Sequence, residues 1–131
     1  AEIHRRMPNC HMVMHGSSSV PEHLIALINE FGGDMPETYG VPVSDIQEGI
    51  KHGVRKINVD TDNRLAITGA IRKLFIEEPS AFDPRDYLKP SRVAMAAVVA
   101  SRMNSFGSAG QAGGVEMKSL EDMKSYYLAG V

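Results

Sequence analysis

Apolar and polar positions follow two different periods along the first half of the chain. The run Asn9-Cys10-His11-Met12-Val13-Met14-His15, bracketed by Pro8 and Gly16, predicts a strand short enough to be covered on both faces. After Pro21, which suits a first helical turn, Leu24, Leu27, Ile28 and Phe31 recur at helical spacing, and Gly32-Gly33 ends that helix. Pro36, Gly40 and Pro42 make 34–43 a loop. Ser44 with Gln47 predicts a capping box on a short helix that stops at Gly53. Arg55-Lys56-Ile57-Asn58-Val59-Asp60 forms a second candidate strand. It leads into a helix from about Asp62 to Glu78, with Ile67, Ile71, Leu74 and Phe75 among its apolar positions. This βαβα order calls for parallel strands joined by right-handed crossovers.

Beyond Pro79 the pattern changes. Pro84 and Pro90 flank a tight segment, and Val93, Ala96, Ala97, Ala100 and Met103 predict a helix with a small-residue face. The stretch from Gly107 to Gly114 is glycine-rich and predicts a flexible loop, and Ser119 opens a last short helix toward Leu128. The many methionines are most simply core filler. Two parallel strands do not make a sheet covered on both faces. An α/β chain of this kind is therefore expected to be part of something larger, with 1–78 as βα units and 79–131 as a helical extension of the same domain.

Composition narrows the partners. The 131 residues are few for a whole (β/α)8 barrel, which takes about 250. A net charge of −2 argues against a nucleic-acid surface, which needs a basic excess. No apolar run reaches the roughly 20 residues of a membrane span, and Ala1–Met7 lacks the apolar core of a secretion signal. The single cysteine, Cys10, allows no internal disulfide and suits a reducing cytoplasm.

The candidate chemistry gathers at the two strand ends. His11 and His15 sit four residues apart, a spacing that on a strand separates the side chains by roughly 13 Å, too far for one metal ion. At most one of them is a ligand, and His15, at the C-terminal end of its strand, is the better placed; the alternative is a hydrogen-bonded structural imidazole. His4, His23 and His52 fall in helical or loop contexts and are expected to be surface or partly buried imidazoles. Gly16-Ser17-Ser18-Ser19 joins a strand end to a helix start, where free N–H groups and hydroxyls attract phosphate, although a serine there could equally cap the helix. At the second strand end, Asn58 and Asp60 share a face, and Thr61 or Asp62 could be an N-cap. Asn58 is an amide within an apolar strand, a costly placement unless it meets a partner. The glycine-rich stretch matches neither the dinucleotide nor the P-loop fingerprint.

Several of these segments resemble the motifs of a known family. Val13-Met14-His15-Gly16-Ser17-Ser18-Ser19-Val20-Pro21 resembles the His-Gly-(Gly/Ser)-Ser segment of class II fructose-bisphosphate aldolases. Tyr39-Gly40-Val41-Pro42, the run from Ile46 to Val54, Lys56-Ile57-Asn58-Val59-Asp60-Thr61-Asp62, Phe82-Asp83-Pro84-Arg85 and Phe106–Ala112 follow in the family's order. The resemblance implies the C-terminal part of a (β/α)8 TIM barrel, namely strands 7 and 8 with the C-terminal helices. It implies reversible cleavage of fructose 1,6-bisphosphate to dihydroxyacetone phosphate and glyceraldehyde 3-phosphate, with Zn2+ as Lewis acid and a monovalent cation as a further candidate.

By the same resemblance His15 is a zinc ligand, and Gly16, Ser18, Asp60 and Thr61 hold the dihydroxyacetone phosphate end. Asn58 stabilises the enediolate, Arg64 reaches the 6-phosphate, and Arg85 serves a neighbouring subunit's site in a dimer or tetramer. For the two arginines the plain alternative is a solvated charge. The catalytic aspartate and the other histidine ligands belong to earlier strands of the family, so the chain alone is expected to be an incomplete site. Tagatose- or sedoheptulose-bisphosphate cleavage on the same scaffold, or phosphosugar binding without catalysis, are the competing functions.

Overall fold

The computed structural model describes residues 1–129. Its elements are α1 (Glu2–Arg6), β1 (Met12–Met14), α2 (Glu22–Glu30), α3 (Val43–Lys51), β2 (Val54–Ile57), α4 (Thr61–Glu77), α5 (Pro84–Phe106) and α6 (Leu120–Leu128), with a single 3-10 turn at Ala112–Gly114. β1 and β2 pair in parallel, Met12 opposite Val54, Val13 opposite Lys56 and Met14 opposite Ile57, with an irregularity between Met12 and Val13. The chain is thus a mixed α/β structure built on two parallel strands, and the βαβα order expected from the sequence is present. The last two residues of the 79–131 extension lie outside the described residues.

Both strands are shorter than the runs that predicted them. β1 was expected to be covered on both faces, yet Val13 is 50% exposed. Each strand has one neighbour here, so only one edge and part of one face are satisfied. The core lies instead between helices, where Val20, Leu24, Ile25 and Ile28 pack on Leu65 and Ala66, flanked by Met35, Ala94 and Val98. The buried face of α4 is therefore Asp62, Leu65, Ala66 and Gly69, and not the stripe of Ile67, Ile71, Leu74 and Phe75 that its larger apolar residues suggest. Small residues win this face because α2 comes so close. A Cβ on Gly69 would stand 2.8 Å from Leu27 Cδ2.

Local start signals were partly misjudged. Pro42, not Ser44, is the N-cap of α3, and no side chain caps that helix. Gln47 instead donates to the Ser105 carbonyl oxygen at 2.8 Å and ties α3 to the end of α5. Pro84 and Pro90 do not bound a separate segment, because α5 begins at Pro84 and runs through Pro90. A proline within a helix forfeits one backbone bond. Packing on α4 compensates: Pro90 shares a surface cleft with Ala70, Lys73 and Leu74, and the Tyr87 ring lies 5.2 Å from Phe75. The cap of α6 is as expected, with Ser119 and Asp122 forming a reciprocal capping box. The glycine-rich stretch begins at Gly107, whose left-handed φ of +76 ends α5, and contains the short turn at Ala112–Gly114. The helix α1, with Glu2 paired to Arg5 and Arg6, had no signal in the apolar pattern.

Candidate functional site

The parallel pairing brings the two strand ends side by side, and their polar residues meet. Gly16 leaves β1 with φ +62, a left-handed turn that favours glycine. Ser17 follows and is 1% exposed, with Oγ 3.0 Å from the Met14 carbonyl oxygen and 2.8 Å from that of Asn58. Its one hydroxyl hydrogen is shared between the two strand ends. Ser18 Oγ accepts the N–H groups of both Asp60 and Thr61, each at 3.1 Å. That leaves the Ser18 hydroxyl hydrogen free to donate to a ligand, while the first amides of α4 are drawn toward the same point.

The imidazole and the amide singled out from sequence are in direct contact. Asn58 Nδ2 lies 2.8 Å from His15 Nδ1. With the amide donating, Nδ1 turns toward Asn58 the lone pair that a metal ion on that nitrogen would take in its place. Lys56 Nζ donates to Asn58 Oδ1 and so orients the amide with its NH2 toward the imidazole. The partner that a half-buried asparagine requires is therefore His15. His11 is exposed and precedes β1, away from any such contact. His23 is exposed too, and His52 pairs with Glu48 at the surface, 3.0 Å away.

Behind the serines lies a buried charge pair. Asp62, expected at most to cap α4, is 0% exposed, and the N-cap position belongs to Asp60. Asp62 Oδ1 accepts the Val20 N–H at 2.8 Å, and Oδ2 accepts the Ser19 hydroxyl at 3.0 Å and the Ser19 N–H at 3.3 Å. Arg102, from the last turns of α5, donates Nε and an Nη to the same Oδ2 at 3.0 and 2.9 Å and touches Ser19 Oγ. Burial alone would raise the Asp62 pKa. The donors from Val20, Arg102 and Ser19 outweigh burial and hold it below the ordinary carboxyl value. Removing one partner of such a pair strands a buried charge, at a cost of about 3–5 kcal/mol. Sequence reasoning passed over Arg102, although it is the lone charge between Val93 and Phe106 and so was a visible signal.

Val20 itself adopts φ +50, the one non-glycine residue with positive φ among those described. For a β-branched side chain this conformation costs about 1–3 kcal/mol. On the outer side, the 34–43 loop closes over the serines. Val41 N–H donates to the Ser18 carbonyl oxygen at 3.1 Å, and a Cβ on Gly40 would stand 2.3 Å from that oxygen and 2.5 Å from the Ser19 carbonyl carbon. Only glycine lets that loop approach so closely.

The two arginines lie farther out. Arg64 grips Asp60 through Nε–Oδ1 at 2.9 Å and an Nη–Oδ2 contact at 2.8 Å. Both side chains are mostly exposed, so this pair is worth no more than about 1 kcal/mol. Arg85 forks onto Asp83, the residue that caps α5, and its side chain is 89% exposed. Its guanidinium holds the Asp83 carboxyl below its usual pKa. The structure does not bring either arginine against His15. Among the described residues no three His, Cys, Asp or Glu side chains gather as a metal site.

The ordered set His15, Gly16, Ser18, Asn58, Asp60 and Thr61 falls within a segment that known proteins share. The family model described as Fructose-bisphosphate aldolase class-II matches residues 1–111. The chain belongs to the class II fructose-bisphosphate aldolase family. It is 60% identical over 129 residues to a fructose-bisphosphate aldolase of Nostoc commune, covering 98% of this chain and 36% of that relative. Identity is 57% with the class 2 enzyme of Synechocystis and 54% with the aldolase of Pseudomonas aeruginosa, with the same coverage. The chain thus spans about a third of the length of the curated aldolases it matches. The matched family segment takes in both strand ends, the Asp62–Arg102 pair and the first part of the glycine-rich stretch, as far as Gln111.

Proposed function

We propose that this chain supplies the phosphate-binding corner and one metal ligand of a zinc-dependent fructose 1,6-bisphosphate aldolase. The carrying observation is the convergence of two βα junctions, with Asn58 Nδ2 2.8 Å from His15 Nδ1 and Ser18 Oγ between the first amides of α4. In this proposal β1 and β2 are strands 7 and 8 of a (β/α)8 barrel, residues 79–131 extend it, and earlier strands of the same barrel complete the site. The ends of those two strands are where barrels commonly bind phosphate. The exposed thiol of Cys10 fits the reducing cytoplasm in which we place the enzyme.

The donors present fit zinc as a contribution and not as a full set. His15 is an exposed imidazole at a strand end, and a catalytic zinc takes three protein ligands. Zinc, when bound there, supplies Lewis-acid polarisation of the substrate carbonyl. The chain's own residues then bind and orient. Gly16 leaves the backbone open to the 1-phosphate, and Ser18 donates its free hydroxyl hydrogen to it. Asp60 and Thr61 receive the dihydroxyacetone phosphate end beside the α4 N-terminus. The Asn58 amide, already presenting N–H at His15, is placed to donate to the oxygen on which negative charge develops during cleavage.

Arg64 and Arg85 serve recognition in this scheme. Arg64 leaves Asp60 for the 6-phosphate, and Arg85, on an exposed turn, reaches the site of a neighbouring subunit in a homo-oligomer. Losing a charged hydrogen bond to phosphate costs about 1.5–3 kcal/mol, roughly ten- to more than a hundredfold. Arg64→Ala in the complete enzyme is therefore expected to lower kcat/KM by about that factor with zinc content unchanged. Mixing Arg85→Ala subunits with His15→Ala subunits should restore part of the activity that each parent lacks, because some sites then pair an intact histidine with an intact arginine. A verified hetero-oligomer as inactive as its parents would remove the cross-subunit role.

A further inference from the structure

The serine loop does not hold its shape by itself. Its exit at Val20 takes the left-handed φ of +50, which a β-branched residue leaves unless something restrains it. The restraint is visible: Val20 N–H and both Ser19 donors end on the Asp62 carboxylate, and Arg102 closes the same carboxylate from α5. We propose that Asp62 and Arg102 are positioning residues for sugar-phosphate binding, a buried carboxylate–guanidinium clamp that fixes Ser19 and Val20 and thereby sets where Gly16 and Ser18 meet the phosphate.

The inference rests on the phosphate grip proposed above and adds what holds it. Three features separate a clamp from an ordinary core ion pair. First, three of the donors to Asp62 come from the loop and two from Arg102, whereas none comes from the body of α4. Second, the loop is fastened to α4 on two sides, through Ser18 to the amides of Asp60 and Thr61 and through Ser19 and Val20 to Asp62. Third, Asp62 is 0% exposed, so it does not meet substrate and acts through the loop alone. The clamp also gives α5, beyond the βα units, a defined part in the site. Arg102 is 14% exposed at its side chain, and its Nε and one Nη are spent on Asp62 and Ser19.

The test uses the complete enzyme with Arg102→Lys, which keeps the buried charge but loses the fork. We expect KM for fructose 1,6-bisphosphate to rise about tenfold, with kcat within about twofold and zinc content unchanged, even where Tm falls. Asp62→Asn should shift KM in the same direction, and the binding of inorganic phosphate should weaken in parallel. Val20→Gly, which removes the left-handed strain, should recover part of the KM lost in Arg102→Lys. A purely structural pair would lower Tm and the active fraction and leave the KM of the surviving enzyme alone; that result overturns the clamp. Ser18→Ala separates this inference from the reading beneath it. A KM rise in Ser18→Ala with none in Arg102→Lys or Asp62→Asn sinks the clamp alone, and no rise in any of the three sinks the phosphate grip as well.

Discussion

His15→Ala in the complete enzyme is expected to remove zinc and aldolase activity together, while His11→Ala leaves both near the unaltered level. The two residues lie on the same stretch of chain but in different surroundings. His15 ends β1 beside Gly16, with its Nδ1 2.8 Å from Asn58 Nδ2, whereas His11 is exposed ahead of the strand. A catalytic zinc held by three ligands does not survive the loss of one in a functional geometry. The pair is checked by elemental analysis of the purified variants alongside turnover of fructose 1,6-bisphosphate. Equal zinc loss in both would show that the extended course of 11–15, which keeps the two imidazoles apart, is wrong. Retention of zinc in His15→Ala would remove His15 from the ligand set.

Asn58→Ala is expected to have the next largest effect, and its effect falls on a different quantity. Removing one preorganised donor to a developing oxyanion lowers kcat by roughly 10²- to 10³-fold. Zinc content should hold, because His15 remains. Asn58→Asp should fail similarly, since a carboxylate offers no N–H and places negative charge where more negative charge must form. The contact with His15 suggests the rival role, in which Asn58 merely orients the imidazole. Zinc assay alongside kcat separates them. A fall in kcat at constant zinc marks an oxyanion donor, and parallel loss of both marks an orienting partner.

Much of this arrangement was legible in the sequence, and the misses have physical causes. The strands were found because Pro8 and Gly16 bracket one apolar run and Asn58–Asp62 closes the other. They came out shorter because one ladder of hydrogen bonds, with no second neighbour, defines only Met12–Met14 and Val54–Ile57. The partner for Asn58 was required by the cost of a buried amide, but only the parallel register reveals that it is His15. The buried face of α4 was not legible, because the bulk of Ile67, Ile71, Leu74 and Phe75 gives no sign of it. Between closely packed helices the buried positions are small, Ala66 and Gly69, with one leucine. Pro90 was taken as a boundary because an isolated helix would break there, and tertiary packing on Ala70, Lys73 and Leu74 overrides that preference.

The Asp62–Arg102 pair was the largest omission. Its members are 40 residues apart, and nothing in a linear pattern links an acid in a helix's first turn to a lone arginine in an alanine-rich helix. Their partnership shows in the contact of Arg102 Nε and Nη with Asp62 Oδ2, which only the fold brings about. Arg64 and Arg85 show the opposite case. The family motifs flagged them, and the structure holds each on a neighbouring carboxylate, Asp60 and Asp83, from which substrate phosphate would have to draw it. For surface pairs that exchange is inexpensive.

The central claim is that the two βα junctions of this chain form one corner of a zinc aldolase site. It is tested most directly by a crystal structure of the complete protein with zinc and dihydroxyacetone phosphate, the metal located by anomalous diffraction. This arrangement predicts zinc on a His15 ring nitrogen, the phosphate against Gly16 and Ser18 at the N-terminus of α4, and the Asn58 amide on a substrate oxygen. Zinc bound without His15, or phosphate seated away from the 16–18 and 60–61 junctions, would contradict it.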